Sequence, residues 1–112
     1  MSSLETMRES EFHERVDALL LQLQTQLDDA DADIDSELTN GILTLSFENG
    51  TKIIVNRQTP NREVWVAAKS GGFHFRFNQS GWSDTRTGDS LARLLSRVIS
   101  EQASVETRVT LD

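Results

Sequence analysis

Asp28 to Phe47 reads DDADADIDSELTNGILTLSF, and within it the hydrophobic period changes from that of a helix to that of a strand. Upstream, Phe12, Val16, Leu19, Leu20, Leu23 and Leu27 recur at i, i+4, i+7, i+8, i+11 and i+15, one stripe of an amphipathic helix. Ser10 is the expected N-cap, with Glu11 and Glu14 suited to the first turn, so the helix is predicted over Ser10 to Asp29. From Asp33 the period is two. Ile34, Ser36 and Leu38 alternate with Asp33, Asp35 and Glu37, which puts three carboxylates on one face of a strand. Asn40-Gly41 then closes a hairpin, because both central residues of a type I′ turn need positive φ.

Working outward, Leu43, Leu45 and Phe47 alternate with polar residues as a second strand, and Asn49-Gly50 turns into a third at Lys52 to Arg57. The only proline marks a loop at Thr59-Pro60-Asn61. Val64, Val66 and Ala68 form the inward face of a fourth strand and send Trp65 and Lys69 to the other side. Ser70-Gly71-Gly72 leads into a fifth strand with Phe73, Phe75 and Phe77 inward and His74 and Arg76 outward; Trp82 to Arg86 is a candidate sixth. A second helix, capped by Thr87 or Asp89, carries Leu91, Leu94, Leu95, Val98 and Ile99 on one stripe and ends near Ala103. Val105 to Leu111 alternates weakly and is expected to lie against the helices. Met1 to Glu9 has no pattern and is read as a frayed start.

A helix, a run of antiparallel strands and a second helix make an α+β chain. The predicted architecture is a two-layer sandwich, with two helices packed on one face of an antiparallel sheet of five to six strands and the other face open to solvent. At 112 residues a single domain spanning 1–112 is expected, burying roughly 65 % of its unfolded surface.

Charge is unevenly spread. Met1 to Glu37 holds 11 acidic and 2 basic residues, whereas the remainder is net +2 within a total of −7. Such a face repels nucleic acid, which needs clustered Lys and Arg, and suits metal cations or a basic protein surface. The absence of cysteine excludes disulfides, thiolate metal sites and cysteine nucleophiles. No apolar run reaches the roughly 18 residues of a membrane span and no leader pattern precedes the first helix, so a soluble, cytoplasmic protein is expected.

The acidic run Asp28, Asp29, Asp31, Asp33, Asp35 and Glu37 is either a solvated face or a site pinned between helix and strand. It is not an EF-hand: counting from Asp29, position six is Ile34 and position twelve is Asn40, where glycine and glutamate are required. Alternate strand carboxylates lie about 7 Å apart, so an ion held there takes one or two oxygens from each and completes its shell with water. Such sites are weak, multiple and selective for hard cations. His13-Glu14 opens like a zincin helix, but Asp17 stands where the second histidine belongs. His13 remains either a solvated helix residue or a neighbour of the acidic site, and His74 reads as plain sheet surface. No nucleophilic triad, phosphate loop or desolvated carboxylate pair emerges, so action by binding is expected rather than catalysis. Trp65, with Asn56 and Arg57 on the preceding strand and Gln58 after them, is either a shield for the sheet or an interface anchor.

The series Ser10-Glu11-Phe12-His13, Leu27-Asp28-Asp29, Asp33-Ile34-Asp35, Phe47-Glu48-Asn49-Gly50, Ile53 to Gln58 and Val64-Trp65-Val66-Ala67 resembles the frataxin family in its bacterial branch, from Ser10 to Ala103. The resemblance implies a frataxin-like sandwich and a monomeric regulator of iron-sulfur cluster assembly. It implies weak surface binding of ferrous or ferric iron, with other divalent cations able to substitute. The metal residues are then Asp28, Asp29, Asp31, Asp33, Asp35 and Glu37, adjoined by His13, Glu14 and Asp17. The implied partners are a cysteine desulfurase, docked on the acidic ridge, and the scaffold protein, with Asn56, Gln58 and Trp65 touching the assembled pair. The chain departs from its relatives at Gln22, Gln24, Thr25 and Gln26, where glutamates are common, and at Arg93 and Arg97, where relatives tend to be acidic. The alternative reading is an acidic module that occupies a basic protein groove and has no metal role.

Overall fold

A computed structural model of the chain describes residues 8–30 and 32–111. Helix α1 (Glu9–Asp28) precedes a sheet of β1 (Ile34–Thr39), β2 (Ile42–Phe47), β3 (Lys52–Gln58), β4 (Glu63–Ala68), β5 (Gly71–Asn78) and β6 (Gly81–Asp84), and α2 (Leu91–Ala103) follows. The strands pair antiparallel in the order β1-β2-β3-β4-β5-β6, so each strand's neighbour in space is its neighbour in sequence. Both helices pack on one face, giving the α+β sandwich expected from the pattern, with six strands.

The period-two residues and the helical stripes meet in one core. Phe12, Val16, Leu19, Leu20, Leu23 and Leu27 of α1 are buried with Leu91, Leu94, Leu95, Val98 and Ile99 of α2, against Leu43, Leu45, Ile53, Val55, Val64, Val66 and Phe75 of the sheet. Trp82 joins them, edge-on to Phe77 at 5.3 Å. At Asn40-Gly41 both φ values are positive, 52° and 79°, as the hairpin requires. A Cβ at Gly41 would also stand 2.8 Å from Arg57 Cζ, displacing the end of that side chain, so the positive φ is what calls for glycine here. The Asn49-Gly50 turn is different: only Gly50 is left-handed, with the Phe47 N–H donating to Thr51 O and the Gly50 N–H to Phe47 O, each at 3.0 Å, a turn with a glycine bulge.

Three local expectations are corrected. Arg8, not Ser10, is the N-cap of α1, because the Glu11 carboxylate accepts from the Arg8 N–H at 3.2 Å and fixes the entry one residue before Glu9. Met1 to Met7 lie outside the described residues, while Glu9 already belongs to the helix. Helix α2 is capped by Ser90, whose Oγ accepts from the Arg93 N–H at 3.1 Å. Thr87 and Asp89 belong to the preceding turn, where the Asp89 N–H donates to Thr87 Oγ1 and the Asp89 carbonyl accepts from the Asp84 N–H, so the backbone enters the helix at Ser90.

Polar side chains close the structure where strands do not. Buried Gln102 accepts from the Lys69 N–H and donates to Thr51 Oγ1 and the Lys52 carbonyl, tying the end of α2 to two turns of the sheet. The 105–111 segment lies against the helices through Ser100 with Thr107, Ser96 with Val109 and Gln26 with Thr110.

Candidate functional site

The carboxylates collect at one edge of the sandwich, on two levels. Asp28 is the last residue of α1 and Asp29 its C-cap, both exposed. Carboxylates at a helix C-terminus oppose the helix dipole at about 0.3 to 1 kcal/mol each, and no basic residue stands in that last turn to offset them. Asp33 is exposed ahead of β1, and Asp31 lies outside the described residues.

On β1, Ile34, Ser36 and Leu38 pair with Phe47, Leu45 and Leu43 and face the helix layer, while Asp35 and Glu37 pair with Ser46 and Thr44 on the open face. The acidic residues therefore wrap around an edge strand, from the end of α1 to the far side of the sheet. Gln24 holds the two levels together by donating to Ser36 Oγ at 3.0 Å.

His13, Glu14 and Asp17 stand apart from this group. Along α1, Asp17 and Asp28 are separated by about 16 Å. Asp17 accepts from Arg57 Nη1 at 3.1 Å, which fastens α1 to the end of β3, and His13 Nε2 hydrogen-bonds Thr59 Oγ1 at 3.2 Å in the loop beyond it. Glu14 is exposed on the same half of the helix. Among the described residues no three His, Asp or Glu side chains converge as a metal cage. The donor set is all carboxylate at the Asp28, Asp29, Asp33, Asp35 and Glu37 edge, which fits a hard cation held by one or two oxygens at a time.

The second candidate lies on the open sheet face. Strand register places Ile42, Asn56, Trp65 and His74 in one row across β2, β3, β4 and β5, with Gln58, Glu63 and Arg76 in the next. Trp65, Asn56 and Gln58 are half-buried. Ile42 and Ile54 are exposed at 40 % and 37 % on the same face, Ile42 beyond Asn56 in the Trp65 row and Ile54 diagonal to Trp65 across β3 and β4.

Two members of this face were not legible as such in the sequence. His74, read as plain surface, stacks on Trp65 with ring centroids 4.3 Å apart and planes 9° apart. Glu63 is buried beneath it at 7 % exposure and accepts from Trp65 Nε1 and Arg76 Nη2, each at 2.8 Å. Only the spacing Glu63-Val64-Trp65 hinted at it, since residues two apart share a strand face.

Fold and surface together define a class: a two-helix, six-strand sandwich with an acidic edge strand and an open face centred on tryptophan. The chain belongs to the frataxin-like family, whose domain model matches residues 5–105. It is 53 % identical over 97 residues to the iron-sulfur cluster assembly protein CyaY of Paraburkholderia phymatum, covering 87 % of this chain and 92 % of that protein. The namesake protein of Paraburkholderia phytofirmans is 50 % identical over the same length and coverage. Among solved structures, the CyaY-family frataxin of Psychromonas ingrahamii superposes with a TM-score of 0.87 at 36 % identity, covering 94 % of this chain and all of that one. Trimeric yeast frataxin from Saccharomyces cerevisiae, complexed with ferrous, gives 0.65 at 26 % identity over 88 % of each chain. Among the described residues no helix is long and apolar enough to cross a membrane.

Proposed function

We propose that this protein serves iron-sulfur cluster assembly in the cytoplasm by binding, without a reaction of its own. Its acidic edge attracts iron weakly and docks on the basic surface of a cysteine desulfurase. The face around Asn56, Gln58 and Trp65 meets the assembled desulfurase and scaffold protein.

The observation that carries this reading is the position of Asp28 and Asp29 at the unfavourable end of the α1 dipole, close in the chain to Asp35 and Glu37 on an edge strand. Carboxylates kept where they cost stability are explained by a cationic ligand, which relieves both the dipole and their mutual repulsion. Iron is cargo in this reading. Anaerobic titration with ferrous iron, or with a paramagnetic divalent ion, is expected to broaden amide resonances from Asp28 to Glu37 first. Broadening centred on His74, or none, defeats the assignment of Asp28, Asp29, Asp31, Asp33, Asp35 and Glu37 as the metal edge.

The charge distribution serves a second reading as well, an acidic module that occupies a basic protein groove with no metal role, since Met1 to Glu37 holds 11 acidic and 2 basic residues. Desulfurase binding that persists unchanged in a chelator, together with a flat iron titration, selects it.

A further inference from the structure

Glu63 presents a physical problem. Its place in the register, opposite Gln58 and Arg76, puts its side chain on the open face of the sheet, yet it is almost fully buried. A carboxylate withdrawn from water is tolerated only when its oxygens are paired and hydrogen-bonded. Both are: Oε2 accepts from Arg76 Nη2 at 2.8 Å, and Oε1 accepts from Trp65 Nε1 at 2.8 Å with His74 Nδ1 a further 3.9 Å away. Arg76 and His74 are each half exposed or more, so water can satisfy their polar groups without Glu63. The side chain whose geometry depends on Glu63 is Trp65.

The indole is thereby held on two sides, its polar edge by Glu63 and one face by the parallel imidazole of His74. Its single donor is consumed inside the protein. We infer that Glu63 and His74 are positioning residues that lock Trp65 into a rigid, donor-free ring surface, so that a docking protein meets it with an apolar segment rather than a hydrogen-bond acceptor. Exposed Ile54, diagonal to Trp65 across β3 and β4, adds apolar surface beside the ring, and exposed Ile42 lies further along the same face beyond Asn56. A side chain ordered before contact does not lose its rotamer freedom on binding, so the lock raises affinity without touching the partner. This inference rests on the reading of the Trp65 face as the docking surface, and names the chemistry that surface selects.

The test uses the indole N–H signals of Trp65 and Trp82, the only two tryptophans, in 15N-labelled protein, assigned with Trp65→Phe. In the native chain the Trp65 Nε1–H is expected to exchange slowly with solvent and to show a rigid heteronuclear NOE. Glu63→Ala is expected to speed exchange and mobilise the ring. Glu63→Gln, which keeps an acceptor in place, restores protection; His74→Ala loosens the ring but leaves the N–H protected. In surface plasmon resonance on the assembled desulfurase and scaffold, Glu63→Ala is expected to release about tenfold faster and Glu63→Gln near the native rate. Equal indole exchange in the native chain and Glu63→Ala, or no rescue by Glu63→Gln, overturns the positioning inference even where Trp65→Ala weakens binding. A protected, Glu63-dependent indole with binding indifferent to Trp65→Ala instead sinks the docking reading and leaves the positioning role standing.

Discussion

The acidic edge and the tryptophan face carry similar numbers of polar groups and handle them in opposite ways. At the edge, Asp28, Asp29, Asp33, Asp35 and Glu37 are all exposed and no carboxylate geometry is fixed. On the face, one carboxylate is buried, both its oxygens are used, and two rings are stacked to within 9° of parallel. Long-range attraction depends on the sum of charges and is insensitive to where each side chain points. Short-range contact depends on shape, which needs fixed rotamers. Under the proposed function, the difference assigns the gathering of a partner to the first surface and the holding of it to the second.

The largest expected effect tests the holding surface. Trp65→Ala should weaken binding to the assembled desulfurase and scaffold by about 2 kcal/mol or more, roughly thirtyfold, almost all in faster release. Surface plasmon resonance at two salt concentrations separates the rates, and a loss confined to association would erase the distinction drawn above. Next, Asp35→Asn with Glu37→Gln should slow association with the desulfurase by about tenfold at low salt and flatten its salt dependence. A slower association that keeps its full salt dependence would show that the edge does not steer.

Cation binding sharpens the same contrast through stability. A divalent metal at ten times its dissociation constant should stabilise the native chain by about 1.4 kcal/mol, a rise of a few degrees in Tm. Asp28→Asn with Asp29→Asn should abolish most of that rise in calorimetry, whereas an undiminished rise places the cation elsewhere. Smallest is the dipole effect. Asp29→Lys should add about 0.5 kcal/mol in urea unfolding, since it replaces an unfavourable charge at the end of α1 with a favourable one. A destabilised variant would remove the argument that this acidity is kept at a cost.

Elements set by periodicity were legible in the sequence. Every residue of the first stripe, from Phe12 to Leu27, is buried, and the alternation from Ile34 onward gives β1 and its register through the Asn40-Gly41 turn. Helix starts were less legible, because capping depends on where the backbone turns into the helix among several competent residues. Glu11 reaches back to Arg8, and the turn through Thr87 and Asp89 delivers the chain to α2 at Ser90.

The acidic edge was visible as composition, but its division was not. That Asp17 faces Arg57 while Asp28 does not is set by α1's length and by where β3 ends. The burial of Glu63 and the stacking of His74 on Trp65 were not legible for a further reason. Their environment comes from the register of β3, β4 and β5 together, and no single strand's pattern contains it.

The sheet order β1-β2-β3-β4-β5-β6 has a kinetic consequence. No connection between successive strands exceeds four residues, so the sheet can assemble hairpin by hairpin, each step closing only a small loop. The distant step is the seating of α1 and of the 105–111 segment, which Gln26 and Thr110 join across 84 positions of chain. The order expected from this topology is hairpins first and the helix latch late, so that loosening the latch, as in Gln26→Ala, should speed unfolding more than it slows refolding in stopped-flow measurements.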